Sequence, residues 1–262
     1  MQVTRVSVPV ETRAPTGQTN AYVVGNDPAL LVDPAGVTDR LDALAAERGV
    51  GGVAVTHHHP DHVGAVDRYA ERHDATVWAR VGRAGSFERA TGVAPDRVFA
   101  EGTAIPTGTG VVRVRDTSGH APEHVAFAAD GALCCGDLAV AEGSVVVGAP
   151  EGDMRAYLTA LRRAHAMDPD RLCPGHGPAV EGRAVRETVA RLVGHRLDRE
   201  RRVRAAVEAG AHTVAEVCNA AYEKDLTGVR DLAEATVWAH LEKLAVEGDL
   251  RWDPEHGVAE LS

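Results

Sequence analysis

Aromatic side chains are scarce in this chain of 262 residues. Three Phe, four Tyr and three Trp make up 4% of it, so Val, Leu and Ala must supply most of the packing. That scarcity argues against an extended platform for stacking the bases of a single strand. Lysine is scarcer still, occurring only at Lys224 and Lys243, and arginine carries the rest of the positive charge. Such a bias fits GC-rich coding or a halophilic cytoplasm. Acidic residues outnumber basic ones by 38 to 28, for a formal net charge of −10, which excludes a general attraction to nucleic acid or anionic membranes. No apolar run approaches the ~20 residues of a membrane span. The opening MQVTRVSVPVETRAP lacks the apolar stretch of a signal peptide, so a cytoplasmic protein with no membrane partner is expected. The four cysteines, Cys134, Cys135, Cys173 and Cys218, show no CxxC spacing and read as reduced, inert thiols. G-x-G-x-x-G and P-loop sequences are absent, which leaves nucleotide binding without support.

Hydrophobic residues nevertheless reach 44%, enough for a sizeable core. The first third alternates apolar runs with turn signals. VTRVSVPV, TNAYVVG and ALLVDPAG read as strands, TDRLDALAAERG as a helix, GGVAVTH as a short buried strand, DHVGAVDRYAERHD as helical and ATVWA as the next strand. Residues 82–110 are rich in glycine and proline and show little periodicity. The β pattern resumes with GVVRVRDT, HVAFAAD, ALCCGD and SVVVGA, followed by the amphipathic helix DMRAYLTALRRAHAMD and the strand and loop RLCPGHGPAV. This succession, given twice, predicts an α/β sandwich rather than a doubly wound sheet. After residue 182 the chain reads helix, helix, helix and β-hairpin, the winged-helix order. A large domain over 1–182 and a small one over 183–262 are therefore expected.

The segment THHHPDH packs five ligand-type side chains into six residues, and four of them, all but His58, can converge on one point. Strand alternation predicts that His57 and His59 point one way and His58 the other. Asp61 and His62 follow where Pro60 opens a helix. Imidazole nitrogens beside a carboxylate suit zinc and its first-row neighbours. TSGH, CGD and PGHGP then offer His120, Asp137 and His176 at strand ends, each preceded by glycine. Together these make five histidines and two aspartates, enough for two adjacent metals sharing a carboxylate.

In order and spacing, THHHPDH, TSGH, CGD and PGHGP resemble the metallo-β-lactamase superfamily over roughly the first 180 residues. The resemblance implies a four-layer αββα sandwich. It also implies a first metal on His57, His59 and His120, a second on Asp61, His62 and His176, and Asp137 shared between them. Two Zn2+ per chain are expected, with manganese and iron left open by the donor set. A water held between two cations loses its proton near neutral pH and attacks an electrophilic carbon or phosphorus, and Asp61 would orient it and take up the proton. Asp33, in LLVDPAG, matches the strand-end aspartate of the family, a partner for a histidine N–H, or else simply initiates a turn before Pro34. His124, four residues past His120, is expected to support the site or meet substrate rather than to ligate.

The remainder of the chain, including EGSVVVGAPEGDMRAYLTALRRA and the tail, is similar to the β-lactamase-like-protein-2 group, which carries a winged-helix-like extension. That group includes a single-strand endoribonuclease, while other relatives are thioesterases. Three readings follow. The first is hydrolysis of a small ester or thioester. The second is cleavage of single-stranded RNA, for which the arginine-rich stretch 183–204 speaks, with His195 and Arg196 placed to hold a phosphate or carboxylate. In the plainer account those arginines form a solvated face paired with Glu187, Asp198 and Glu200. The third is a DNA-binding regulator, which the acids beside Arg230 and Lys243 disfavour. A structural or dimer-forming role for the tail is preferred.

Overall fold

Strands β1 (Val3–Pro9), β2 (Gln18–Gly25), β3 (Ala29–Val32), β4 (Val50–Ala54), β5 (Thr76–Arg80) and β6 (Arg97–Phe99) form one six-stranded sheet in that order. The first three pair antiparallel, and β3 to β6 run parallel. Parallel neighbours need crossovers, and helices supply them. These are α1 (Asp39–Glu47), α2 (Pro60–Val63) with α3 (Val66–His73), and α4 (Ala84–Thr91). A second six-stranded sheet contains β7 (Ala104–Thr107), β8 (Gly110–Asp116), β9 (Val125–Ala129), β10 (Ala132–Gly136), β11 (Arg171–Pro174) and β12 (Val180–Glu181). Its one parallel pair, β10 with β11, is bridged by a segment containing α5 (Met154–Met167). The computed structural model describes residues 1–261.

Strand β3 reads ALLV and is buried throughout, as a strand covered on both faces must be. Its successive side chains divide between two cores. Leu30 and Val32 join Trp78, Val112, Val114 and Phe127 between the sheets. Leu31 points the other way, to Val53 and Val77 and to the helix residues Leu41, Val66, Tyr69 and Phe87. Helix α1 begins where Thr38 accepts a hydrogen bond from the Leu41 amide.

The chain divides into two units. The first, residues 1–117, 123–143 and 167–188, holds both sheets. The second holds residues 118–122, 144–166 and 189–262. It contains most of α5 and of α6 (Arg183–Glu208), then α7 (Val214–Ala221), α8 (Arg230–Glu247) and the hairpin β13 (Leu250–Asp253) and β14 (Val258–Leu261). Val203, Val207, Val217, Val237, Leu241 and Leu250 form its core. A reciprocal cap between Thr213 and Glu216 starts α7. Among the described residues no helix is long and apolar enough to cross a membrane.

Three readings of local structure need correction. The aperiodic stretch 82–110 holds α4, β6 and β7, and the two strands, of three and four residues, are too short to show a period. SVVVGA is not a strand, although its β-branched run reads as one. Strand β4 ends at Ala54, so the three consecutive histidines lie in a loop beyond it.

Candidate metal centre

Because His57, His58 and His59 follow the strand rather than belong to it, alternation does not sort them. Local partners do. Glu123 accepts a hydrogen bond from the His58 main-chain N–H at 3.1 Å, and the His58 ring stands edge-on to Phe87, 5.6 Å between centroids. His57 and His59 face each other, with Nε2 of one 3.0 Å from Nδ1 of the other. Pro60 then begins α2 and brings Asp61 and His62 into its first turn.

The hydrogen bonds assign the imidazole tautomers. Thr56 donates its single hydroxyl proton to Asp33 at 2.8 Å, so its oxygen must accept from Nδ1 of His57, 3.0 Å away. The Asp33 carboxylate also accepts from Nδ1 of His62 at 3.0 Å. Nδ1 of His176 donates to the Gln18 carbonyl at 2.9 Å, and Nδ1 of His120 to the Val146 carbonyl at 2.7 Å. In their neutral form all four rings therefore have Nε2 as the lone-pair nitrogen. This is the arrangement in which a protein acceptor orients a metal-ligating histidine.

The carboxylates meet these nitrogens in the first unit. Asp137 lies 3.6 Å from His62 Nε2 through one oxygen and 3.5 Å from His176 Nε2 through the other. Asp61 Oδ2 is 3.6 Å from His176 Nε2. Two ligands at ~2.1 Å from a tetrahedral ion are separated by about 3.4 Å, so these spacings fit a shared cation. The ligand atoms of Asp61, His62 and His176 lie within 4.8 Å of one another, as do those of His57, His62 and Asp137. His62 Nε2 is buried with no hydrogen-bond partner, an orphaned donor atom that a metal would satisfy. Burial alone would depress the His62 pKa, but the charges of Asp33, Asp137 and Asp61 reverse this and raise it to about 9. His176 is raised too, since the hydrogen bond and charge of Asp137 outweigh burial. The carboxylates thus favour positive charge on these two rings. Close packing maintains it: a Cβ on Gly175 would stand 2.6 Å from both Asp137 Oδ1 and His62 Cε1.

Asp33 is more than a turn initiator. It is buried, has φ +51°, and accepts from Thr56 and His62. His124 uses its Nε2 to accept the Asp137 main-chain N–H at 3.1 Å and its Nδ1 to bond Thr117 at 2.8 Å. Its lone pair is thus spent on the protein, which leaves it supporting the Asp137 loop. His120 lies in the second unit with residues 118–122. Arg196 is 3% exposed and donates to the Val145 carbonyl. His195 is half-buried, and burial followed by Arg196, Arg199 and Arg191 holds it down at about 4, hence neutral. Burial raises the Cys135 thiol, and all four cysteines are buried and unpaired with one another by disulfide.

Thr12, Thr56 and Glu123 escaped the sequence reading. Thr12 donates to Asp61 Oδ2 at 2.6 Å from 49 residues away. Neither it nor Glu123 belongs to any motif, and Thr56 stood only as the letter before the histidines.

The Metallo-beta-lactamase superfamily profile matches residues 14–176, and the chain belongs to that superfamily. A beta-lactamase-like protein 2 homolog of Caenorhabditis elegans is 27% identical over 245 residues, covering 88% of this chain and 79% of its own. A hydroxyacylglutathione hydrolase of Acidiphilium cryptum is 34% identical over 166 residues, 62% of this chain and 65% of that one. Among solved structures, a beta-lactamase domain protein from Burkholderia ambifaria superposes with TM-score 0.82 at 23% identity, covering 99% of this chain and 91% of that one. The fold is that of the superfamily, and the chain is a metal-dependent hydrolase.

Proposed function

We propose that this hydrolase cleaves a small ester or thioester with two zinc ions. His57, His59 and His120 would hold one ion, Asp61, His62 and His176 the other, and Asp137 both. The observation that carries the reading is the set of Nε2 atoms of His57, His62 and His176, each aimed by a protein acceptor at Nδ1, with Asp61 and Asp137 among them. When bound, the metals supply Lewis acidity and a nucleophilic water at neutral pH.

The chain's own residues supply orientation and proton transfer. Asp61, held by the Thr12 hydroxyl at 2.6 Å, accepts the proton of the attacking water as general base. Asp33 keeps His57 and His62 in one tautomer through Thr56 and by direct contact. The likeness to a hydroxyacylglutathione hydrolase supports a thioester.

The RNA reading draws less support. Arg183 pairs with Glu187 at 3.0 Å, Arg186 with Asp168 at 3.1 Å, Arg201 with Asp198, and Arg204 with Glu208 and Asp249. Each of these arginines is already paired with an acid of the chain itself, on α6 or beside it. Lys243, a candidate for groove contacts, is buried between Glu200 and Glu247, which speaks against a DNA-reading α8.

The test is a panel of S-lactoylglutathione, acyl-CoA thioesters and labelled unstructured RNA, with wild type and Asp137→Ala. Thioester hydrolysis that is removed by chelator and by Asp137→Ala is expected. RNA cleavage lost in Asp137→Ala, without thioester turnover, would replace this reading with the nuclease one. Cleavage surviving that substitution marks a contaminant.

A further inference from the structure

We infer that Arg196 is a positioning residue for His120, acting through the main chain of Val145 and Val146. The inference rests on the proposed ligand role of His120, and all the residues involved lie in the second unit.

The Val146 carbonyl, 2.7 Å from His120 Nδ1, settles which nitrogen carries the proton. If that carbonyl turned away, the ring would lose both its tautomer and its aim. Residues 144–150 belong to no helix or strand, so no ladder of hydrogen bonds holds the carbonyl in place. The adjoining Val145 carbonyl accepts a hydrogen bond from Arg196 Nη2. The Arg196 guanidinium also lies over the Tyr157 ring, 5.4 Å from its centroid.

Tyr157 forms the other wall of the His120 loop. Gly119 has φ +140°, and a Cβ there would stand 2.3 Å from the Tyr157 main-chain nitrogen. The Asp153 N–H donates to the Gly119 carbonyl at 2.8 Å. One guanidinium thus ties the strand-free segment that orients the imidazole to the helix on which its loop rests.

Stability alone does not account for this arginine. It shares the buried side of α6 with Val189, Leu192 and Val203, where packing calls for an apolar side chain. Its Nε is buried without a hydrogen-bond partner, a cost that an aliphatic residue would avoid. Orienting a ligand is a use that justifies the cost.

The experiment compares wild type, Arg196→Met, Arg196→Lys and His120→Ala as full-length chains. Long-range 1H–15N spectra of the zinc-free proteins read the His120 tautomer, and competition with a chromophoric chelator reads zinc affinity. Wild type should show His120 protonated at Nδ1. Arg196→Met should mix the two tautomers and weaken zinc binding about 10-fold, and Arg196→Lys should shift both in the same direction by less. An unchanged His120 signal and unchanged affinity in these variants overturn the inference. If Arg196→Met fails to fold, Arg196→Lys decides by the same criterion. Should His120→Ala bind zinc like wild type, the ligand reading of His120 fails instead, while the tautomer spectra still report on Arg196.

Discussion

The Asp33 carboxylate lies 3.0 Å from Nδ1 of His62, 29 residues further along the chain, with both side chains sealed from solvent. The same carboxylate accepts from the Thr56 amide at 2.6 Å and from its hydroxyl at 2.8 Å. A single acid at the end of β3 therefore aims two imidazoles and pins the loop that carries them. Replacing it with alanine strands buried donors, a loss of roughly 1–3 kcal/mol. Metal affinity should fall by about 10- to 100-fold. Asp33→Asn keeps an acceptor and tolerates the left-handed φ of +51°, so it should retain more stability while still binding metal weakly. Urea unfolding and metal content after dialysis separate the two effects.

The metal-free protein should lose stability with rising pH. His62 is raised from 6.5 to about 9 on folding. The folded state thus holds a proton that the unfolded chain releases earlier. Its contribution is fully present below about pH 6.5 and disappears as pH climbs through about 9, amounting to roughly 3 kcal/mol at most. Unfolding free energies at pH 6 and pH 10 should show the slope, and His62→Gln should flatten it. Loading zinc at pH 7.5 should expel this proton, which calorimetry in buffers of different ionisation enthalpy would detect. Uptake with no proton release would contradict the assignment.

Adjacent histidines should behave unequally. His58 contacts Glu123 and Phe87, so His58→Ala should keep wild-type metal stoichiometry with a modest loss of stability. His59→Ala should lower stoichiometry or affinity. Elemental analysis of the two purified variants decides, and equal losses would refute the division.

Gly175→Ala adds one methyl where 2.6 Å separates its position from Asp137 Oδ1 and His62 Cε1. The carboxylate and ring must give way, so metal affinity and turnover should drop more than tenfold, on the scale seen when site geometry slips by about 1 Å. Chelator competition and thioester kinetics check this. A fully active variant would show that the site tolerates displacement.

Much of the candidate site was legible because its residue types are local and ordered. His57, His59, Asp61 and His62 sit within six positions, and His120, Asp137 and His176 each follow a glycine. The supporting partners were not legible. Thr12 reaches Asp61 across 49 residues, and Glu123 reaches His58 across 65. Threonine and glutamate are common surface residues, and nothing in their own neighbourhoods marks them. The fold showed the same limit: long alternating runs stood out, whereas three-residue β6 and four-residue β7 did not.

By itself, the sequence determined the candidate donor set, its order along the chain and the strand patterning that buries ALLV on two faces. These depend on side-chain chemistry and on periods of two or 3.6 residues, which a short window contains. Only the tertiary structure decided which nitrogen of neutral His57, His62, His120 and His176 bears the lone pair, that His124 spends its own on Asp137, and that Arg196 is buried against Val145. Each of these depends on a hydrogen-bond partner brought close by sheet order and crossover, and a linear pattern holds no record of such distances.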